Sequence, residues 1–189
     1  GSSVSFNEDA TIMAIGARYA DGNYGYNSGH VRVFQFSNDS WSQLGKDIDG
    51  EAANDYFGRS VSLSSDGTTL AIGSSDNDGY RTNSGHVRLY EFDGSQWNQM
   101  GQDIDGEAMD DKSGTSVSLS SNGSIVAIGA IFNNGGGSNS GHVRIYSYSS
   151  SSWTRLGSDI DGEAGTDQSG WSVSLSADGR IVAIGAIEN

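Results

Sequence analysis

An acidic stretch that occurs three times holds the carboxylates best spaced for chemistry. In its first copy, Asp47, Asp49, Glu51 and Asp55 stand at relative positions 1, 3, 5 and 9. This spacing lets one loop fold alternate carboxylates around a hard cation, so it predicts weak calcium binding; no other cofactor is indicated. The alternative is that these carboxylates cap turns on an exposed connection. The same set recurs as Asp103, Asp105, Glu107 and Asp111 and as Asp159, Asp161, Glu163 and Asp167.

Three loops that differ between otherwise similar copies carry the candidate ligand-binding residues. A constant framework with variable loops is how a scaffold presents a recognition surface. Tyr, Asn and Asp side chains can stack on and hydrogen-bond to sugars or peptides, so the loops predict a protein or glycan ligand. The alternative is that the loop tips vary because nothing constrains them. The candidates are Tyr19, Tyr24, Tyr26, Asp76, Asp78, Tyr80, Arg81, Phe132, Asn133 and Asn134.

One histidine and one arginine recur in every copy, two residues apart. The histidines His30, His86 and His142 could gather around an axis and bind a transition metal, or each could stabilise a neighbouring turn. The arginines, of which Arg88 is the second, are expected to pair with acidic groups of an adjacent repeat.

Catalytic motifs are absent from the sequence. It has no G-x-S-x-G segment, no glycine-rich phosphate loop between a strand and a helix, and no cysteine. An enzyme normally breaks repeat symmetry at one place, because one nucleophile and one base need one geometry. We therefore expect no enzymatic activity.

A period of 56 residues organises the elements that carry these side chains. The segment GHVR begins at Gly29, Gly85 and Gly141. Each copy contains four short runs with the period of two that is typical of strands, and Asp66-Gly67 marks a hairpin turn. Tandem four-stranded antiparallel units predict an all-β chain of β-propeller blades that forms an incomplete ring; a β-solenoid is the alternative. The predicted blades span 3–59, 60–115 and 116–171, followed by a half blade over 172–189.

The repeat resembles a known family in several short motifs. Phe57-Gly58, the SVSL segment after it and the pair Gly129-Ala130 resemble the FG-GAP repeat of integrin-alpha-type propellers. The W-x-x-L-G and D-G-E-A stretches resemble its calcium-poor bacterial and algal branch. The chain departs from the family pattern where Ser113 and Ser169 replace Phe. WD-type blades share the S-x-D-G-x-x-x-A pattern, which makes the propeller a firmer expectation than the subfamily.

The charge and hydropathy of the sequence limit which partners and which cellular locations are expected. The net charge is -14 with only 10 Lys plus Arg, which argues against nucleic acid and anionic lipid as partners. No apolar run is long enough to insert in a membrane, and no targeting signal is visible. We expect an extracellular or cell-surface binding module; the alternative is a structural or self-assembling repeat element, natural or engineered. Open strand edges predict a homo-oligomer or a piece of a longer repeat chain.

Overall fold

Short runs in which apolar residues alternate with serine or other polar residues form the strands. In the computed structural model, which describes residues 1–188, these runs pair into three antiparallel sheets of five strands and one two-stranded hairpin. No helix of the described residues is long and apolar enough to cross a membrane. The all-β architecture predicted from the repeats is confirmed.

The first two sheets repeat one strand order. Sheet 1 contains β1 (Ser3–Phe6), β2 (Ile12–Ala17), β3 (His30–Ser37), β4 (Ser40–Gln43) and β5 (Ile48–Asp49). Sheet 2 contains β6 (Ser60–Leu63), β7 (Thr69–Ser74), β8 (His86–Phe92), β9 (Trp97–Gln99) and β10 (Ile104–Asp105).

The third sheet follows the same order, and a hairpin ends the described chain. Sheet 3 contains β11 (Ser113–Leu119), β12 (Ile125–Ala130), β13 (His142–Ser149), β14 (Ser152–Arg155) and β15 (Ile160–Asp161). The terminal hairpin is β16 (Ser172–Leu175) paired with β17 (Val182–Gly185). Strand β11 starts before the predicted blade boundary at 115/116, and the last residue of the predicted half blade, at 189, lies outside the described residues.

The outer strand of each five-stranded sheet is in two pieces, a division that was not predicted from the sequence. In sheet 1, both β4 and β5 pair with β3, and residues 44–47 bulge between them. Gly45 lies in this bulge with φ of 79°, a conformation that favours glycine. The start of the acidic stretch therefore forms the short strand β5 instead of a free loop.

Successive sheets pack face to face, and the hydrophobic core lies between them. Val31, Val33 and Ile48 of sheet 1 form one buried cluster with Leu70 and Ile72 of sheet 2. A second cluster of the same kind joins sheets 2 and 3. Each first strand contacts the first strand of the next sheet, so β1, β6, β11 and β16 line one side of the row of sheets.

An ion pair and an indole hydrogen bond, among other polar contacts, join each of sheets 2 and 3 to the sheet before it. Arg88 of sheet 2 forms an ion pair with Glu51 from the first repeat, and Arg144 pairs with Glu107 in the same way. The indole nitrogen of Trp97 donates to the carbonyl of Leu44 at 3.0 Å. The corresponding contact of Trp153, with the carbonyl of residue 100, is 2.8 Å long. The expectation that the arginines pair with an adjacent repeat is confirmed for Arg88 and Arg144, whereas Arg32 pairs with Asp47 of its own repeat.

Candidate functional site

A pocket of about 260 Å³ opens where loops of three repeats meet at one end of the sheets. This volume is close to the lower end of the range for small-molecule sites, roughly 300 to 1,000 Å³. The lining side chains are those of Arg18, Tyr19, Tyr56, Arg59, Ser75, Asp76, Lys112, Thr115, Ile131 and Phe132.

Two sets of equivalent backbone positions build this pocket. The first set is the pair of residues that follows the second strand of each sheet, directly after β2, β7 and β12. The second set lies where the chain enters the next first strand, with Tyr56 equivalent to Lys112 and Arg59 to Thr115. Because neighbouring sheets pack in register, these positions converge at one end. Their side chains differ from repeat to repeat, so a symmetric framework holds an asymmetric pocket.

Positive charge dominates the pocket. Lys112 Nζ lies 2.7 Å from Asp76 Oδ1, and this is the one ion pair among the lining residues. Neither Arg18 nor Arg59 forms an ion pair within residues 1–188. Nε of Arg18 is buried there without a hydrogen-bond partner, while its Nη2 donates to the Tyr19 hydroxyl at 2.6 Å. Three cations therefore face one carboxylate.

The environment of Arg59 disfavours the charged form of its guanidinium. Burial, and then the nearby charge of Arg18, lower the pKa of Arg59 from its ordinary value. An arginine stays protonated under such a shift, so the positive charge remains. The charge of Asp76 opposes the shift, but this carboxylate is already paired with Lys112. A bound anion would relieve both the burial penalty and the repulsion.

Aromatic rings form the wall beside these cations. The rings of Tyr19 and Tyr56 meet edge to face at 5.6 Å, with an interplanar angle of 82°. The guanidinium carbon of Arg18 lies 4.4 Å from the centroid of Tyr19. Phe132 completes the apolar part of the lining. Such a surface suits the apolar face of a sugar ring or another planar group.

The structure brings three of the ten predicted ligand residues into this pocket: Tyr19, Asp76 and Phe132. The others lie outside it. Tyr24, Tyr26 and Tyr80 are exposed on the loop tips, and Arg81 stacks on Tyr80. The remaining three organise their own loops: Asp78 accepts from the backbone of residue 83, Asn133 donates to the Asp111 carboxylate, and Asn134 accepts from the backbone of residue 139.

The cations of the site were not predicted from the sequence. Arg18, Arg59 and Lys112 were not among the candidates, although they carry most of its chemistry. The signal that could have found them is a comparison of the copies position by position. Arg18 stands where the next two repeats have Ser75 and Ile131, so a charge appears at one copy of an otherwise small or apolar position.

The carboxylates of each acidic stretch take separate partners. The first one binds an arginine of its own sheet: Asp47 binds Arg32 at 2.9 Å. Asp103 binds its arginine at 2.9 Å, and Asp159 binds its own at 2.8 Å. Hydrogen bonding to Arg144 lowers the pKa of Asp159.

The later carboxylates point in other directions. The second carboxylate has a different environment in each copy. Asp49 accepts a hydrogen bond from the Asn23 amide at 2.8 Å, and an Asp161 oxygen lies 3.9 Å from His142 Nδ1. Burial raises the pKa of Asp105. Glu51 and Glu107 reach the next sheet, and Glu163 is exposed. The last carboxylate caps its own turn: Asp55, Asp111 and Asp167 each accept from the backbone nitrogen three residues earlier.

Within residues 1–188, two groups of side chains from neighbouring repeats are close enough to hold a metal ion. Glu51, His86 and Asp103 place one ligand atom each within 4.8 Å of the others, and Glu107, His142 and Asp159 repeat the arrangement. In the first group Arg88 binds both carboxylates. A cation would compete with this guanidinium for the same carboxylates. Calcium binding by the acidic residues stays a prediction.

Comparisons with known proteins agree with the repeat fold. Residues 47–90 match the FG-GAP repeat family, which confirms the resemblance over that segment. No curated protein matches the chain significantly. A protein from Bacteroides uniformis described as a 6-phosphogluconolactonase has a TM-score of 0.64 and 12% identity, over 96% of this chain and 46% of that one. The periplasmic gluconolactonase PpgL of Pseudomonas aeruginosa has a TM-score of 0.55 and 16% identity, over 92% and 46%.

The chain therefore spans a little under half the length of these two proteins, and the likeness shows the shared propeller fold alone. The prediction of no enzymatic activity is wrong as an inference from missing motifs, because both of these propellers are named as lactonases. Propeller catalysis does not need a G-x-S-x-G turn, since loops from several blades can supply the reacting groups. The missing motifs therefore do not separate a binding protein from an enzyme on this fold.

Proposed function

We propose that the chain is a binding module whose loop end holds an acidic saccharide in the pocket around Arg59. The observation that supports this most directly is uncompensated positive charge in a chain of net charge -14. Arg18 and Arg59 line the pocket without a carboxylate partner among the described residues. Guanidinium groups bind carboxylate, phosphate or sulfate through paired hydrogen bonds, which matches the acid group of such a ligand.

The aromatic wall supports a sugar in preference to a bare anion. Tyr19, Tyr56 and Phe132 offer ring faces and edges next to the cations. Sugar rings present apolar C–H faces that stack on aromatic side chains while their hydroxyls stay hydrogen-bonded. The pocket volume fits about one ring, so the terminal residue of a glycan would enter and the remainder would extend over the loop tips.

A glycan array followed by calorimetry tests this proposal. Glycans that end in a uronic acid or a sulfated sugar should bind, and their neutral counterparts should not. Affinity should fall as sodium chloride rises from about 0.05 to 0.5 M, because salt screens the charges. Arg59→Gln should weaken binding at least about tenfold, since a lost charge-assisted hydrogen bond costs at least about 1.4 kcal/mol.

Arg180→Gln is the matched control, because Arg180 is 85% exposed on the terminal hairpin and lies outside the pocket. It removes the same charge and should leave affinity unchanged. Equal binding of acidic and neutral glycans, or an equal loss in both variants, would show that the pocket is not the site.

A further inference from the structure

A second cavity, a groove of about 340 Å³, opens between the outer parts of sheets 1 and 2. It shares no lining residue with the pocket around Arg59. Ile48 of sheet 1 and Tyr90 of sheet 2 line its inner part, and both belong to the buried cluster that joins these sheets. Lys46 and Trp97 line it nearer to the surface. Both walls therefore belong to an interface whose two sheets are present in the chain.

A glutamine bridges the equivalent place between sheets 2 and 3. Gln102 stands where the first repeat has Lys46. Its Nε2 donates to the Trp153 carbonyl at 2.8 Å, and its Oε1 accepts from the Trp153 nitrogen at 3.3 Å. Trp153 is 3% exposed, whereas Trp97 is only partly buried. The tryptophan is therefore more accessible at the interface where lysine replaces the bridging glutamine.

Charges of both signs line the groove and nearly cancel. The Asp47 carboxylate is paired with Arg32 at 2.9 Å, which leaves Lys46 and Asp49 as the remaining charges. Lys46 forms no ion pair with any residue that the structure describes. A ligand with a strong charge of either sign would be repelled by one of these two groups. The groove therefore suits an uncharged ligand.

The polar side chains of the groove also keep hydrogen-bonding capacity for a ligand. The Lys46 ammonium has three N–H donors, and the Gln96 amide has both donors and an acceptor. Asp49 accepts a hydrogen bond from the Asn23 amide at 2.8 Å, and a carboxylate can accept several. Because a hydroxyl group both donates and accepts, a ligand rich in hydroxyls can satisfy these groups together.

Two aromatic side chains line the groove beside these polar groups. The indole of Trp97 is held in place, because its nitrogen donates to the Leu44 carbonyl at 3.0 Å and its ring packs on Phe92 with the centroids 5.2 Å apart. Tyr24 is 59% exposed on the loop before β3. A side chain that is already held loses little freedom when a ligand packs on it. Aromatic faces with neighbouring polar groups suit the C–H face of a sugar.

We propose that this groove is a second binding site, which takes one uncharged sugar ring. The ring packs on Trp97 and Tyr24, and its hydroxyls accept from Lys46 and donate to Asp49. The groove volume lies within the range for small-molecule sites. A single ring should bind with a Kd of about 1 mM, which is too weak for a glycan array to retain. The groove therefore adds to the acid-dependent binding around Arg59 without replacing it.

Nuclear magnetic resonance of the indole N–H groups tests this proposal, because the Trp97 indole lies in the groove. Maltotriose, cellotriose and xylotriose are each titrated to about 50 mM, well above the expected Kd. At least one of them should move the Trp97 signal to a saturating value, while the Trp153 signal stays in place because its ring is buried. Sorbitol at the same concentration controls for effects of a polyol that has no ring.

Lys46→Gln copies the interface that Gln102 bridges, and it should weaken the Trp97 response at least about tenfold. Gln102→Lys is the matched control: it makes the reverse exchange one repeat later and should leave the Trp97 response unchanged. Arg59→Gln should also leave it unchanged, which separates failure of this site from failure of the acidic site.

Three results would overturn the proposal. The first is no saturating shift of Trp97 with any of the three trisaccharides. The second is an equal shift with sorbitol or at Trp153. The third is a response that Lys46→Gln leaves at the wild-type strength.

Discussion

His86 is the most deeply buried titratable side chain at the interface between sheets 1 and 2. It is 1% exposed, and its Nε2 has no hydrogen-bond partner among the described residues. Burial, followed by the nearby charge of Arg88, lowers the pKa of His86 to about 4. The same causes lower the pKa of His142 at the next interface. Both imidazoles are therefore neutral in the folded chain at neutral pH.

Acidification should destabilise the chain through these histidines. An unfolded histidine has a pKa of about 6.5, so between pH 6.5 and 4 the unfolded state binds more protons and the free energy of unfolding falls. The lowered pKa of His86 corresponds to a decrease of up to about 3 kcal/mol in the free energy of unfolding, and this decrease is complete below pH 4. Urea unfolding at pH 7, 6, 5 and 4.5 should show this slope, and His86→Asn should reduce it.

His30→Asn is the control for this slope. His30 holds the same place in sheet 1, and its ring is only partly covered by the described residues. Its replacement should leave the pH dependence close to that of the wild type. An unchanged slope in His86→Asn would assign the acid sensitivity to other groups.

At the scale of the elements, the glycines of the repeat motif mark places where two strands or turns touch through their backbones. A Cβ on Gly129, in the second strand of sheet 3, would lie 2.1 Å from the carbonyl oxygen of Gly170. Gly73 and Gly114 make the same approach one repeat earlier. Gly58 of the Phe-Gly pair makes this contact with Gly16, and Gly114 and Gly170 make it at the equivalent positions, where Ser replaces Phe.

This contact predicts a difference between two equivalent glycines. Gly129→Ala should cost more than about 2 kcal/mol, because the methyl group meets a backbone carbonyl that cannot move without shifting the next repeat. At Gly185 the same methyl would be close only to the Ser172 hydroxyl, a side chain that can rotate away. Gly185→Ala should therefore cost less than about 1 kcal/mol. Equal free energies of unfolding for the two variants would refute this role for the Gly170 carbonyl.

The period of 56 residues made the strands predictable, because alternation and turn residues are local properties. The division of the outer strand was not predictable in this way. Ile48 and Asp49 look like the start of an acidic loop, and they pair with β3 only because Gly45 bends the chain back. Such pairing depends on tertiary register, which a short run of residues does not encode.

At the scale of the whole molecule, acidic residues tie repeats together as well as charging the surface. Asp103 and Glu51 share Arg88, and the pair around Arg144 repeats this arrangement. Hydrogen bonds to these carboxylates raise the pKa of Arg88 in spite of its burial. Several of the carboxylates that contribute to the net charge of -14 are therefore paired with arginines and are not free to bind a cation.

Calcium should have little effect on thermal stability for this reason. Melting temperatures in about 10 mM calcium and in chelator should agree within about 2 °C, because each ion would have to displace a bound guanidinium. Magnesium at the same concentration controls for simple screening of the net charge. A rise of several degrees with calcium alone would show that the acidic stretches bind it.

The pocket could be predicted only in part. Tyr19, Asp76 and Phe132 were found because variable loops are visible in an alignment of the copies. Arg59 was not found, because it directly follows the repeated Phe57-Gly58 motif, and residues of that motif were assigned to the repeat framework. Arg59 lies beside Arg18 because sheet 1 packs on sheet 2. The two residues are separated by 40 others in the sequence, so their proximity could not be predicted from local patterns. The extracellular location stays a prediction.

The direction of the tryptophan contacts sets an order on synthesis. Trp97 lies 53 residues after the carbonyl that it binds in sheet 1, and Trp153 has the same separation from its own partner. At about 5 to 20 residues per second, a ribosome delivers each sheet roughly 3 to 10 s before the side chain that covers it. The apolar face of a nascent sheet therefore stays open for that interval, and a pause in translation between residues 57 and 97 would lengthen it.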